Sequence, residues 1–261
     1  MDKAEFLRRV VEIAGEAGRD VKLYNVGERM YAEAPDVPSG RILDLPLSRL
    51  NALRRSVFKD ILSEVGRGGD FVVNTHATFR WRHGLFYAFD YDHMTTLQAD
   101  LYITLVDNID RVHQRLLRDG HTDHSLKDIM VWREEEIMAT ELLAHIVGGH
   151  GRFYILSRGE DDSDAEVLVR LMYEPHLKKV YLSFPMTHVT DPETLSEIDR
   201  FRTEMKRRFI CFDPGDVEEK HLCSLAVSAA EAGKRTVELP GESEPVQVDT
   251  AELLAIVPDI D

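Results

Sequence analysis

Short apolar runs alternate with longer stretches of helical periodicity along most of this 261-residue chain. The apolar runs lie at residues 21–27, 71–73, 99–107 and 152–157, and apolar residues recur every three or four positions in the stretches between them. Strands that alternate with helices in this way form βαβ units with a parallel sheet and right-handed crossovers. The pattern therefore predicts an α/β fold.

A second strand–helix series begins after Pro175, so we place a domain boundary near residue 176. Residues 1–176 would form one domain, and residues 177–261 would form a second, partial doubly wound, Rossmann-like unit. The predicted helices are residues 2–14, 49–65, 111–118, 125–147, 164–173 and 192–209. The predicted strands of the second series are residues 179–185, 209–214, 236–239 and 246–248.

The charge balance limits the partners that this chain can bind. It carries 32 Lys and Arg against 47 Asp and Glu, a net charge of −15, which disfavours binding to a nucleic-acid backbone. No apolar run approaches the roughly 20 residues that span a bilayer, so we expect no membrane partner. The only cysteines, Cys211 and Cys223, have neither metal-site spacing nor the number typical of a disulfide framework. These features predict a soluble, cytoplasmic protein.

Residues 71–90, FVVNTHATFRWRHGLFYAFD, run from an apolar strand into Asn74, Thr75 and His76 and then into an aromatic segment. Parallel sheets bind ligands at the carboxyl ends of their strands, so this polar tip is a candidate site. By the same rule we expect the strand ends at residues 24–27, 74–76 and 107 to converge. The aromatic segment is interpreted as loop packing, with base stacking beside Arg80 and Arg82 as the alternative.

A glycine loop is the usual companion of such a strand tip. The motif Gly-x-x-x-x-Gly-Lys-Ser/Thr does not occur in the chain, and the glycine cluster at residues 66–69 precedes a strand, whereas a phosphate loop follows one. The first helix stands where the helix after such a loop belongs. We therefore expect the sheet to lack its first strand and the glycine loop to be encoded upstream of Met1 if it exists.

Three segments carry a family resemblance: YNVGERM at residues 24–30, GDFVVNTH at 69–76 and RLLRD at 115–119. In this order and spacing, residues 1–172 resemble the archaeal type of adenylate kinase among the P-loop nucleoside monophosphate kinases. The resemblance implies a parallel P-loop-kinase-like sheet, ATP and Mg²⁺ as cofactors, and nucleotides or nucleosides as small-molecule partners. It implies no metal site built from protein ligands alone.

The resemblance also assigns roles to residues. Asn25 and Gly27 would begin the acceptor-nucleotide wall, backed by the helix at 49–65, and Arg41 would bind the acceptor phosphate. The Asn-Thr-His triplet matches a family Asp-Thr-His next to the magnesium and phosphates. The lid arginines of the family, which stabilise the phosphoryl group in transfer, match two residues of the chain. The implied phosphate-binding residues are Asn25, Gly27, Arg41, Asn74, Thr75 and His76, and the implied catalytic residues are Arg115 and Arg118.

The chain also departs from the family pattern. Asn74 replaces an aspartate, Leu45 stands where a second acceptor-site arginine is expected, and residues 119–124 contain no further lid arginine. Together with the absent glycine loop, these departures predict weak or absent phosphoryl transfer in this chain. The alternatives are a nucleotide kinase whose loop is encoded upstream, a nucleotide-binding regulatory pseudokinase, and a nucleoside-processing protein that acts through its C-terminal domain.

Residues 180–186, 198–202 and 212–214 are similar to the opening half of nucleoside 2-deoxyribosyltransferase-like domains. The nucleophilic glutamate of that family comes from later sequence, so the resemblance implies no catalytic residue here.

Two groups of histidines have competing interpretations. His76 is interpreted either as a site residue or as a hydrogen-bonded structural histidine. His121, Asp123 and His124 have the chemistry of metal ligands, but a solvated polar loop is the more frequent outcome for such a sequence.

Overall fold

The computed structural model describes residues 3–81, 84–121, 124–159, 162–185, 189, 191–240 and 245–260. The chain divides into two compact units, one of Met1–Thr104 with Val112–Ile155 and the other of Leu105–Arg111 with Leu156–Asp261. This division lies earlier in the chain than residue 176, so the two-domain organisation inferred from the sequence stays a prediction. Arg82, Asp123 and Met186, which entered the sequence interpretation, lie outside the described residues.

Helices and strands alternate along much of the chain, as the sequence predicts. Up to residue 97 they are α1 Lys3–Glu16, β1 Val21–Asn25, α2 Val26–Glu33, α3 Leu47–Val65, β2 Asp70–Asn74, β3 Thr78–Trp81, β4 Gly84–Tyr87 and α4 Tyr91–Leu97. The chain continues through β5 Tyr102–Val106, α5 Ile109–Arg118, α6 Leu126–Leu143, a π-helical turn Ala144–Gly148 and β6 Phe153–Ser157. The remaining elements are α7 Ser163–Tyr173, β7 Lys179–Tyr181, α8 Pro192–Arg208, β8 Ile210–Phe212, α9 Lys220–Glu231, β9 Thr236–Leu239, β10 Val246–Asp249 and α10 Thr250–Ile260.

The strands form pairs. β1 pairs with β2 in parallel, as β7 does with β8, while β5 pairs with β6. The hairpins β3–β4 and β9–β10 are antiparallel. The mixed α/β class predicted from the sequence is confirmed. A P-loop-kinase-like sheet that lacks its first strand, and a doubly wound second unit, stay predictions.

The aromatic segment after His76 is a β-hairpin, and the interpretation as a loop was wrong. Thr78 pairs with Tyr87 and Trp81 with Gly84, and the ladder extends to a hydrogen bond of 2.8 Å from Ala88 N to Ala77 O. Gly84 takes a φ of +82°, a conformation that favours glycine. The alternation was missed because Phe86 and Tyr87 are adjacent, so that aromatic residues occur on both faces of the hairpin.

The core of the first unit is built on one face of α3. Leu50, Val57, Phe58 and Ile61 are almost completely buried there and share a cluster with Tyr24 of β1 and with α2 and α4. Their spacing along the helix is that of a single apolar stripe. Because α3 lies against α2 and the first strand pair, it fixes the strand ends that carry the candidate site.

The second unit has its own buried residues. Ile210 of β8, Leu222 of α9, Leu239 of β9, and Leu253 and Ile256 of α10 are almost completely inaccessible to solvent.

Helices α2, α4 and α9 were not predicted from the sequence, and the first two have only 8 and 7 residues, too short for a clear periodic signal. No helix in the described parts combines the length and the hydropathy that a membrane crossing requires.

Candidate functional site

The carboxyl ends of β1 and β2 bring two predicted site residues together. The strands are parallel and in register, so Asn25 lies opposite Asn74. The Nδ2 of Asn74 donates a hydrogen bond of 2.8 Å to Oδ1 of Asn25. The predicted convergence of these two strand ends is confirmed, because the parallel pairing places both amides on the same edge.

Helix α2 begins directly after Asn25, which is its N-cap residue and has an extended backbone. The first N–H groups of a helix have no partners within the helix and carry partial positive charge, which suits an anion. Gly27 lies in this first turn, and a side chain placed there would meet no atom within 4 Å. The backbone at Gly27 is therefore open to a ligand, which is what a phosphate at this helix start requires.

Lys3, the first residue of α1, reaches the same strand end. Its Nζ donates a hydrogen bond of 2.7 Å to the backbone oxygen of Thr75. Burial lowers the pKa of Lys3 to about 8, and the negative charge of Glu136 partly opposes this shift. At pH 7 the amine is mainly protonated, and an ammonium has three donors, so it can bind an anion while it holds Thr75.

His76 and Glu136 contact each other next to this strand end. His76 Nδ1 lies 3.3 Å from Glu136 Oε1, and Glu136 also accepts hydrogen bonds of 2.9 Å from Ala77 N and Thr78 N. Burial and the charge of Lys3 lower the pKa of His76 despite the opposing effect of Glu136. Burial raises the pKa of Glu136, but His76, Lys3 and the Ala77 N–H outweigh it and lower that pKa to about 2.

These contacts favour the structural interpretation of His76. Its imidazole is held by Glu136 and lies against the ring of Phe79, with the ring centroids 4.7 Å apart. The side chain is partly exposed, so contact with a ligand remains compatible with this role. Glu136 fixes the backbone immediately after the Asn-Thr-His triplet, which holds the strand tip in one conformation.

The predicted arginines lie in different environments. Arg41 is well exposed and its Nη1 is 3.3 Å from Asp44 Oδ2. Arg118 is half exposed and pairs with Asp119 at 3.2 Å, whereas Arg115, one helical turn earlier, is only 4% exposed. The two lid arginines therefore do not present equivalent side chains to solvent, and Arg118 is the more accessible of the two.

His121 and His124 pack around Trp81. The His121 ring meets Trp81 edge-on at 5.7 Å between centroids, and the His124 ring lies 5.4 Å from it. The indole N–H of Trp81 donates a 3.0 Å hydrogen bond to Asp44. Among the described residues no group of three or more potential ligands could hold a metal ion. The histidines thus take part in aromatic packing, and Asp123, the third member of the hypothesis, is not described.

The second unit contains a buried network of opposite charges next to the carboxyl end of β8. Arg202 donates to Asp213 at 2.7 Å and to Asp216 at 2.9 Å, and Lys206 lies 2.6 Å from Asp216. Asp164 accepts a hydrogen bond of 2.7 Å from Gly159 N. Burial and the nearby charge of Asp216 raise the pKa of Asp164 to about 7. Charged networks of this kind occur both as structural ion clusters and in functional sites.

The sequence analysis missed Lys3 and Glu136. Lys3 is the first residue of α1 and Glu136 stands in an acidic run on α6, so neither position differed in sequence from an ordinary charged surface residue. The only available signal was Lys3 at the start of the helix that follows the expected position of a phosphate loop.

Comparisons with known proteins found similarity over part of this chain. A family model described as an AAA domain matches residues 2–133. An adenylate kinase of Pyrococcus abyssi (strain GE5 / Orsay) is 25% identical over 158 residues, covering 58% of this chain and 79% of the relative. An adenylate kinase of Pyrococcus furiosus (strain ATCC 43587 / DSM 3638 / JCM 8422 / Vc1) is 23% identical over 156 residues, with the same coverage.

Proposed function

This chain belongs to the AAA domain family, as an adenylate-kinase-like P-loop protein, and from that premise we propose that it binds nucleotides at the strand ends around Asn25 and Asn74. The proposal includes weak or absent phosphoryl transfer in this chain. Its ligands are nucleoside mono- and triphosphates.

The observation that carries the proposal is the grouping at the ends of β1 and β2. The Asn25–Asn74 amide pair, the start of α2 and the ammonium of Lys3 meet at this edge. They supply neutral hydrogen-bonding groups, free backbone N–H groups and one cation. This combination suits a phosphate, because the helix start and the ammonium both favour negative charge.

The predicted arginines complete the proposed site. Arg41 is exposed and would bind the phosphate of an acceptor nucleotide, with Asp44 as its partner in the free protein. Arg118 would reach a phosphate from the lid side, where a guanidinium binds two oxygens at once. Arg115 is buried, so we assign it mainly to holding the end of α5 in place.

The residues at this edge suit the phosphates of ATP better than they suit Mg²⁺. Lys3 and the start of α2 suit the phosphates of ATP, whereas Asn74 offers Mg²⁺ a neutral amide oxygen in place of a carboxylate. When bound, Mg²⁺ would neutralise phosphate charge and orient the phosphates. With Asn74 the protein contributes less to metal affinity than an aspartate would, so the nucleotide phosphates would supply most of the ligands.

Two features support weak catalysis. The sequence contains no Gly-x-x-x-x-Gly-Lys-Ser/Thr motif, and transfer of a phosphoryl group depends on the positioning and charge stabilisation that this loop supplies. Asn74 replaces the family aspartate beside the phosphates. A non-catalytic, regulatory nucleotide-binding protein is the alternative form of the same proposal.

The test combines binding with transfer. Both tryptophans, Trp81 and Trp132, lie in the first unit, so tryptophan fluorescence follows the unfolding of that unit. We expect AMP or ATP with Mg²⁺ to raise its melting temperature, while transfer from labelled ATP to nucleoside monophosphates stays slow or undetectable. If no nucleotide changes the melting temperature, the binding proposal fails. Rapid transfer would contradict only the proposal of weak catalysis.

A further inference from the structure

Helix α3 carries an arginine within its buried apolar stripe. Arg54 follows Leu50 by one turn and precedes Val57, Phe58 and Ile61 on the same face, and it is only 4% exposed. A buried cation is costly unless it is paired with an opposite charge. An arginine at a core-facing position therefore needs an explanation.

The hydrogen bonds of Arg54 do not supply a counter-charge. Its Nη1 donates to Asn51 Oδ1 at 3.1 Å and to the backbone oxygen of Tyr87 at 3.2 Å. Both acceptors are neutral. Among the described residues Nη2 has no acceptor, although it is buried. Burial lowers the pKa of Arg54 to about 10 with no opposing effect from a carboxylate, and the side chain is still protonated at pH 7.

Arg54 lines a cavity of about 490 Å³, a size within the range of small-molecule sites. The walls are formed by α3, the hairpin strand β4 and the segment that leads into α4. The lining residues are Leu47, Asn51, Arg54, Arg55, Leu85, Phe86, Tyr87, Phe89 and Asp90.

The charged groups of the cavity leave one positive charge in excess. Arg55 pairs with Asp90 at 2.9 Å, and Asp90 also caps α4 by accepting a hydrogen bond from Asp92 N. His93 Nδ1 lies 3.6 Å from the same carboxylate. Asp90 is thus occupied by other groups, and Arg54 remains the cation without a carboxylate partner among the described contacts. This excess occurs in a chain whose net charge is −15.

We propose that this cavity binds a small molecule that joins an oxyanion, either a phosphate ester or a carboxylate, to an aromatic ring. The oxyanion accepts hydrogen bonds from Arg54, and the ring lies against the aromatic wall of Phe86, Tyr87 and Phe89. A guanidinium in a desolvated site binds both kinds of oxyanion strongly, since such hydrogen bonds are charge-assisted. The proposal stands on the cavity alone and does not depend on the site around Asn25 and Asn74.

The test measures binding of simple probes to the full chain by calorimetry. Phenyl phosphate and benzoate represent the two oxyanions, and benzyl alcohol is a neutral aromatic control. We expect at least one of the two anions to bind saturably to the wild type, and at least tenfold more tightly than benzyl alcohol does. Arg54→Gln should weaken that anion at least tenfold. Arg49→Gln, on the same helix but paired with Asp36 outside the cavity, should change its affinity less than twofold.

A second variant keeps the test decisive if Arg54→Gln does not fold. Asn51 is exposed and already accepts from Arg54, so Asn51→Asp gives the guanidinium an internal carboxylate. We expect this variant to weaken the anion at least tenfold, whereas Ser56→Asp, which adds the same charge at another exposed position of α3, should not. Absence of binding of both anions by the wild type would overturn the proposal. Unchanged affinity in Arg54→Gln, or in Asn51→Asp, would overturn it as well.

Discussion

Asn74 donates a 2.8 Å hydrogen bond to Asn25 across the carboxyl ends of two parallel strands, at the position where the resemblance places an aspartate next to magnesium. At residue 74 a neutral amide therefore stands where the resemblance places a negative charge. This difference leads to the first prediction.

Asn74→Asp should make ATP binding depend more strongly on Mg²⁺. The new carboxylate repels the phosphates of metal-free ATP and attracts the cation of Mg-ATP. We expect the ratio of the two affinities to rise by roughly tenfold, since two charges about 4 Å apart interact by about 1–4 kcal/mol at the effective dielectric constants of a protein surface. The measurement is calorimetry with ATP in the presence of Mg²⁺ or of EDTA.

Asn74→Leu serves as the control for this change, because it removes the amide without adding charge. It should weaken both forms of ATP alike and leave their ratio as in the wild type. A ratio in Asn74→Asp that equals the wild-type ratio would show that residue 74 does not lie beside the bound phosphates.

Acid should destabilise the first unit through Glu136 and His76. Both groups have a lower pKa in the folded protein, so the unfolded chain binds more protons as pH falls. Stability is then lost first below the unfolded pKa of histidine, near 6.5, and again between about 4.5 and 2 as Glu136 takes up its proton. Tryptophan fluorescence melts from pH 7 to pH 3 measure this loss.

Glu136→Gln should flatten the lower part of this pH profile. It should also cost about 1–3 kcal/mol at pH 7, because an amide cannot accept from both Ala77 N and Thr78 N with its two terminal atoms. Glu134→Gln, an exposed change on the same helix, is the matched control. If the stability of Glu136→Gln fell with pH as steeply as that of the wild type, the loss of stability would not come from protonation of Glu136.

The second unit should show the opposite dependence on pH through Asp164. Its pKa is raised to about 7, so the folded protein binds more protons than the unfolded chain between about pH 4 and 7. Stability from this group therefore falls as pH rises through that window. Asp164→Asn, which keeps an oxygen for Gly159 N, should remove this fall.

Scanning calorimetry at pH 5 and pH 8 tests this prediction. We expect the melting temperature of the second unit to drop between the two pH values in the wild type and in the exposed control Glu197→Gln, and to drop less in Asp164→Asn. An equal drop in all three proteins would show that Asp164 does not titrate in this range.

Arg118→Ala should weaken nucleotide binding by about 1.5–3 kcal/mol, the range for a hydrogen bond to a charged group. Arg118→Lys should restore only part of this loss, because an ammonium lacks the planar fork of a guanidinium. Arg118 is half exposed and pairs with Asp119, so the stability of the protein should change by no more than about 0.5 kcal/mol. Arg8→Ala, on the exposed face of α1, is the control for nucleotide titrations. Equal affinities in all four proteins would exclude Arg118 from a phosphate site.

The sequence predicted the elements whose pattern is local. The strand that ends at Asn74 and the helix that ends at Val65 have apolar residues with clear periodicity, and the pairing of Asn25 with Asn74 follows from the rules of parallel sheets. The β3–β4 hairpin was missed because aromatic residues occur on both of its faces. The short helix α2 was missed because eight residues give too little periodic signal.

The periodic patterns did not predict contacts between residues that are far apart in the sequence. Lys3 contacts Thr75 and Glu136 contacts Ala77, across 72 and 59 positions of sequence respectively. Periodicity reports which face of a helix is buried, but it does not report the partner of a charged side chain. Arg54 is a partial exception, since an arginine within an apolar stripe is visible in the sequence itself.

The most direct test of nucleotide binding at the strand ends is calorimetric titration of the full chain with AMP and with Mg-ATP. We predict that the wild type binds at least one of them with a Kd below about 1 mM, equivalent to about −4 kcal/mol. Asn74→Leu should bind that nucleotide at least tenfold more weakly, while Lys59→Met, an exposed change on α3, should bind it as the wild type does. Absence of binding of both nucleotides by the wild type, or unchanged affinity in Asn74→Leu, would contradict the account.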